Sequence, residues 1–247
     1  DYDNANTNRR QVSKIELTDS ATIVHLDVYN RPNYWAKIES ATTLRGNSGK
    51  LYKLLSSKDF ELNKEVYMPE NGNLTAILFF EPLDKNEKTV DYIEDDSNSS
   101  DFQINGIKLY SVKNNAPIKC VLKGEVINRP QSSRITLTKR GEDLRSAKLI
   151  YIPIRNNKFE YVLNCDVEQA YELTFFDEYE YDGGWRPISF IAEQGTIGFV
   201  LNPIEEWENN TVTGGVINPE KQKFDKELRK QMHPLYQANS DEWDTLY

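Results

Sequence analysis

The sequence predicts a mainly β protein: two antiparallel β-sandwich domains followed by a short helical segment at the C-terminal end. Three observations carry that prediction. Apolar side chains alternate with polar ones over most of the chain, the period of a half-buried strand. Gly, Pro, Asn and Asp recur at short spacing between these runs, as turns require. Only near the C-terminal end does the apolar period lengthen to i+4, that of a helix.

Residues 1–11 (DYDNANTNRRQ) are almost wholly polar and read as a flexible tether. In 22–29, Val24, Leu26 and Val28 fall on one face while His25 and Asp27 fall on the other. Arg31-Pro32-Asn33 breaks that run. Residues 45–50 (RGNSGK) form a turn between short strands over 41–45 and 51–55, a hairpin. A strong strand at 74–80 ends at Glu81-Pro82, and strands at 90–93 and 102–110 flank the acidic loop 94–101. Seven or eight short strands at regular spacing make residues 12–112 an immunoglobulin-like β-sandwich.

The polar break 113–117 (KNNAP) marks the domain boundary. The second β-sandwich covers 117–206, with strands at 118–124, 134–139, 148–154, 158–163, 171–176, 188–192 and 196–201. Residues 207–247 are a linker and amphipathic helices. Asn218-Pro219-Glu220 is a helix start: Asn caps, Pro suits the first turn, and Glu complements the dipole. Phe224, Leu228 and Met232 then recur at i+4, and Pro234 ends or kinks the helix. Ser240-Asp241-Glu242 resembles a second helix start, and its early stop predicts that the natural protein continues.

Aromatics make up 11% of the chain, with 14 Tyr, so it folds rather than staying disordered. The 30 Lys and Arg against 39 Asp and Glu are scattered and leave a net charge of −9. Without a basic stripe nothing supplies the phosphate neutralisation that nucleic acid binding needs, so nucleic acid is excluded as a partner. No apolar run approaches the roughly 18 residues of a membrane span. The chain starts without Met or a leader, as a matured exported protein does, whether periplasmic or at the cell surface. The polar tether suits a lipid anchor upstream, which would hold it to the membrane.

Catalytic chemistry is hard to place. His25 and His233 are the two histidines, and no G-x-S-x-G elbow accompanies them, so no hydrolase triad is expected. Cys120 and Cys165 form neither C-x-x-C nor a metal-ligand spacing with a histidine. Both fall at apolar-phase strand positions, and read either as two buried thiols or as a disulfide between them. Residues 46–50 share Gly, Ser and Lys with a phosphate loop, but at the wrong spacing. The loop 95–101 offers hard oxygens to calcium without the Gly and bidentate Glu of an EF-hand, and reads better as a solvated loop. No catalytic residue, cofactor or metal is therefore expected. An enzyme assembled from scattered carboxylates ranks below a binding protein.

The candidate binding stretch is 179–187 (YEYDGGWRP). Tyr179, Tyr181, Trp185 and Arg186 on a Gly-flexed loop could stack on a glycan or receive a protein partner. The alternative is a hairpin whose Gly-Gly turn is flanked by cross-strand aromatic pairs.

Gly124 ends one alternating strand and precedes Ile135-Thr136-Leu137. Then come residues 154–161 (IRNNKFEY), Tyr171-Glu172-Leu173 and 191–197 (IAEQGTI). This order resembles the uncharacterised β domain found N-terminal to the thioredoxin-like module of exported bacterial AhpC/TSA-type thiol-disulfide oxidoreductases, over about 118–202. The first domain looks like the segment preceding it in some members, and the helical tail like the connector that follows. The redox C-x-x-C of such proteins lies on the thioredoxin fold and is absent here. The resemblance thus implies a non-catalytic accessory region for tethering, positioning or partner recognition. The alternative is a stand-alone cell-surface module that binds glycan or protein.

Overall fold

The computed structural model describes residues 2–94, 102–109, 117–144, 149–178 and 186–244, with side chains as far as Met232. The chain is mainly β, with a single long helix among the described residues, near the C-terminal end. It divides into two compact units, Asp1–Lys113 and Asn114–Tyr247, each with a hydrophobic core of its own.

In the first unit the strands are β1 (Asn4–Ala5), β2 (Arg10–Leu17), β3 (Thr22–Tyr29), β4 (Trp35–Ala36), β5 (Thr43–Gly46), β6 (Leu51–Lys58), β7 (Val66–Tyr67), β8 (Asn73–Phe80), β9 (Thr89–Ile93) and β10 (Gln103–Lys108). Eight of them run in the hydrogen-bonded order β1-β10-β9-β5-β6-β8-β3-β2. β6 joins the halves. Its residues Leu51 to Lys53 pair with β5, and from Leu54 onward it pairs with β8, with an irregularity between Leu54 and Ser56. A bulge bends a strand and raises its twist, so one strand can serve both layers of a sandwich. Val24, Leu26 and Val28 of β3 join Leu78 and Phe80 of β8, Leu44 of β5 and Tyr92 of β9 in one core. The alternation legible in β3 is the reason: these three side chains are fully buried while His25 turns outward.

The first eleven residues are not a free tether. Asn4 and Ala5 pair with Asn105 and Ile104, and the Asp3 N–H donates to the Asn105 carbonyl at 2.9 Å. Arg10 is buried, with its Nε 2.5 Å from Glu94 Oε1. Polar composition misleads here because an edge strand of two residues holds through its backbone, which carries no apolar signature.

The second unit holds β11 (Ile118–Val126), β12 (Arg134–Lys139), β13 (Ile150–Pro153), β14 (Lys158–Cys165), β15 (Gln169–Thr174), β16 (Ile188–Ala192), β17 (Gly195–Leu201), a 3-10 turn (Ile204–Asn209), β18 (Thr211–Thr213) and helix α1 (Ile217–Asp244). Two four-stranded sheets, β14-β11-β17-β18 and β13-β12-β15-β16, enclose one core. The pairing is antiparallel except between β11 and β17, which run parallel from Cys120 opposite Gly195 to Val126 opposite Leu201. A wholly antiparallel domain is therefore corrected at this seam. These strands are distant in sequence, so no hairpin constrains their direction. Gly124 lies between Phe159 of β14 and Phe199 of β17, and a Cβ there would collide with the Phe159 ring. Phe199 meets Phe190 of the other sheet edge-on, ring centroids 5.2 Å apart.

Two expectations at the C-terminal end are also corrected. Residues 209–215 are not simply a linker, because Thr211 to Thr213 pair with Val200 to Gly198 as an edge strand. α1 runs from Ile217 to Asp244 without stopping at Pro234 or restarting at Ser240. The helix continues although proline lacks an N–H and its ring crowds the carbonyl four residues back, and although Ser240 and Asp241 are residues that favour caps. No described helix is long and apolar enough to cross a membrane.

Candidate functional site

The second unit fastens α1 with two buried polar side chains. Glu193 follows β16, and its carboxylate faces the start of the helix. Val216 N–H donates to Oε1 at 2.7 Å, Ile217 N–H lies 3.1 Å from each oxygen, and Asn218 N–H donates to Oε2 at 3.3 Å. Helix N-termini carry unpaired N–H groups and a partial positive charge, so an internal carboxylate satisfies both. Asn218 in turn acts like a strand neighbour of Ile191: its Oδ1 accepts the Ile191 N–H and its Nδ2 donates to the Ile191 carbonyl, both at 2.8 Å. Gly215, at φ +70°, must lack a Cβ because one would strike the Glu193 carboxylate. Burial alone would raise the Glu193 pKa, but the Val216, Ile217 and Asn218 donors outweigh it and hold the group below its ordinary value.

Beside this clamp lies a groove of about 370 Å³. Ile188 and Ser189 of β16, Trp207, Asn210, and Lys221, Asp225 and Arg229 of α1 are among the residues that line it. The Arg229 and Arg186 guanidinium carbons lie 5.0 and 5.8 Å from the Trp207 ring centre. Asn210 is held by accepting the Asn202 N–H on Oδ1 at 2.6 Å, and its carbonyl accepts Gln222 Nε2 at 3.1 Å. Ser189 Oγ, Trp207 Nε1 and Asn210 Nδ2 are buried atoms without a hydrogen-bond partner. All three belong to residues that line the groove.

Of the sequence-predicted binding residues, Arg186 is brought to Trp207, whereas Tyr179, Tyr181 and Trp185 lie outside the described residues, as does the loop 95–101. Trp207, Ser189 and Asn210 were not singled out by sequence reasoning. The available signal was Trp207 itself, a lone aromatic within the acidic stretch 205–208 (EEWE).

The remaining candidates are accounted for separately. Cys120 and Cys165 are free, buried thiols on paired strands. They are diagonal to one another, Cys120 opposite Leu163 and Cys165 opposite Ile118. Diagonal positions stand about 7–8 Å apart, wider than a disulfide favours. Burial pushes both thiols up. His25 Nε2 lies 2.7 Å from Glu16 Oε1 on the outer face of β3, and the His233 side chain lies outside the described set. The 46–50 turn closes a hairpin, with Gly46 N–H to Lys50 carbonyl at 2.9 Å, and the Ser48 N–H and hydroxyl donate to the Glu87 carboxylate. Among the described residues no group of three or more His, Cys, Asp or Glu could hold a metal ion.

The first unit offers a different surface. Trp35 of β4 stands opposite Tyr67 of β7, and both side chains are about half exposed or more, at 48% and 63%, as is Tyr34.

Compared with family models, curated proteins and solved structures, the chain matches none of them. The groove's lining combines an aromatic ring with mutually paired charges.

Proposed function

We propose that the chain is a non-catalytic accessory region of an exported thioredoxin-like thiol-disulfide oxidoreductase-type protein, serving positioning and partner recognition. The single observation that carries the proposal is the clamp of Glu193 and Asn218 on the start of α1. It sets the direction of a helix of 28 residues, about 42 Å at 1.5 Å per residue, from a rigid sandwich. The same clamp argues against redox chemistry by this chain. A reactive thiol is commonly lowered in pKa at a helix N-terminus, and here that position is filled by an internal carboxylate while both thiols are buried and raised. On this reading the region works in the periplasm or at the cell surface, behind a lipid anchor.

The test joins the chain in cis to a thioredoxin-like module and compares reduction of a small disulfide with reduction of a folded protein disulfide. A changed rate on the folded substrate alone supports positioning or recognition. Turnover by the chain without the module, an effect on the small disulfide, or no effect on either substrate overturns it. A second reading, a stand-alone surface-binding module, is favoured by the exposed aromatics Tyr34, Trp35 and Tyr67.

A further inference from the structure

We infer that the open edge of β14 is a self-association surface, which takes β14 of a second copy of this chain as an added antiparallel strand. The inference goes beyond the positioning role, which rests on the clamp at α1 and not on this edge.

The first support is the direction of the backbone groups. Val126 N–H donates to the Asn157 carbonyl at 2.8 Å, in register with the pairs of β11 and β14 that follow. Residues that bond the neighbour alternate along an antiparallel strand, so Phe159, Tyr161, Leu163 and Cys165 turn their N–H and C=O to β11. Glu160, Val162 and Asn164 turn theirs off the end of the sheet, where no described backbone group meets them. Lys158 also faces outward, but Arg155 across the turn bonds it in both directions, at 2.8 and 3.0 Å. The open stretch is therefore 160–164.

The second is that the other described edges are short or guarded, as edges that avoid recruiting strands are. β1, β4 and β7 have two residues each and β18 three. β13 has four and ends in Pro153. At β16 the Asn218 side chain already bonds the Ile191 N–H and carbonyl. β2 is long, but it is irregular between Val12 and Lys14 and carries Lys14 and Glu16. β14 pairs with β11 without irregularity along its whole length and holds no proline. At the middle of its open stretch stands Val162, 40% exposed.

The third selects the occupant. A two-fold axis through Val162, perpendicular to the sheet, sets Val162 against the partner's Val162 and Glu160 against the partner's Asn164, with both cores on the same side. A slip of one residue would bring groups already bonded to β11 to the seam. In the symmetric register Tyr161, packed against the core but only partly buried, lies beside the partner's Leu163. Asp166, just past the paired stretch, reaches the end of the seam where the partner's Lys158 stands, opposite to it in charge. Sliding by two residues sets Glu160 against the partner's Asp166 one way and against the partner's Val162 the other. The first opposes like charges, and the second lays a carboxylate on an apolar side chain. The edge is complementary to itself in this one register. A seam confined to 160–164 is small, so the pairing is weak and depends on concentration.

The experiment is sedimentation equilibrium of the whole chain from micromolar to millimolar concentration, beside Val162→Lys, Val162→Glu and their equimolar mixture. Val162 lies on the outer face of its sheet, so the variants should keep the fold, which their urea midpoints check. The native chain should show a reversible monomer–dimer equilibrium. Each variant alone opposes like charges at the dyad and should dimerise at least about 10-fold more weakly. The mixture sets Lys against Glu there and should recover most of the loss. A native chain that stays monomeric throughout would leave the edge to a strand of some other protein, and overturns the inference. So would dimers of native strength in both variants, or a mixture no stronger than its components.

Discussion

The Asn218 amide donates to Glu193 Oε2 at 2.8 Å, and the Asn218 backbone N–H reaches the same oxygen at 3.3 Å. One carboxylate thus receives the side chain and the main chain of the residue that enters α1, while that residue also pairs with the main chain of Ile191. Sheet and helix are joined through two side chains, and the joint is buried.

Replacing Glu193 by Gln keeps the shape but removes the charge and turns one acceptor into a donor facing N–H groups. The second unit should lose about 1–3 kcal/mol, the combined worth of charge-assisted hydrogen bonds and the helix-dipole interaction. Urea unfolding followed by circular dichroism measures this. An unchanged midpoint would mean that the clamp does not bear on stability.

The same carboxylate sets a pH dependence. Its pKa is below the ordinary value in the folded chain, because four N–H donors outweigh burial. The unfolded chain, with an ordinary value of about 4.3, therefore takes up the proton first as pH falls. The stabilisation is fully present above that unfolded value and is lost as pH falls through the folded value. The stability gap between the native chain and Glu193→Gln should hold at neutral pH and shrink in acid. A gap that widens in acid would contradict the assignment.

Gly124→Ala tests the seam of the second core. The added methyl would strike the Phe159 ring and press on Phe199 Cβ, which lies 3.0 Å from the Cβ position. Overpacking of this kind costs about 1–3 kcal/mol. Gly141→Ala serves as a control for chain substitution, since nothing lies near its Cβ position, although its φ of +87° carries its own local strain.

Gly124 also shows how far the sequence could be read. Its position in an alternating strand, and the later Lys158-Phe159-Glu160-Tyr161 run, were visible as local patterns, and strands such as β3 and β14 follow directly from the period of two. Their meeting was not visible. β11 lies between β14 and β17 through one antiparallel and one parallel seam, and the parallel one joins segments some seventy residues apart. The groove is illegible for the same reason. Arg186 stood out through its aromatic neighbours, but Ser189, Trp207 and Asn210 acquire significance only when β16, the 3-10 turn and α1 converge. β1 escaped notice because two polar residues carry no period at all.

Cys120 and Cys165 should be inert in the native chain. Cys120 is fully buried and Cys165 nearly so, and burial pushes both thiols up, so little thiolate is present or reachable at neutral pH. Ellman's reagent should register both thiols in denaturant and almost none before it. Rapid labelling without denaturant would show that the strands bearing them open readily. Finding no free thiol in denaturant would show that they pair.

The first unit's stability can be probed at Arg10 and Glu94. Arg10 Nε and Glu94 Oε1 are 2.5 Å apart with side chains 3% and 9% exposed. The pair does not stand alone. Tyr92 donates its hydroxyl to the same carboxylate at 2.8 Å, Arg10 Nη2 donates to the Lys37 carbonyl at 3.0 Å, and its guanidinium carbon lies 4.6 Å from the centre of the Phe102 ring. Arg10→Met would keep much of the packing on Phe102 but leave a buried carboxylate with a phenol as its main support. Removing one member of a buried pair typically costs about 3–5 kcal/mol, chiefly the cost of stranding the other. Glu94→Gln should cost less, because the amide oxygen still accepts from Tyr92 and Arg10. In the double variant Arg10→Met with Glu94→Gln no charge is stranded, so the loss should fall short of the sum of the single losses. Urea unfolding of the four proteins gives that coupling directly. Strict additivity would mean that Arg10 and Glu94 each act through their other partners and not through one another.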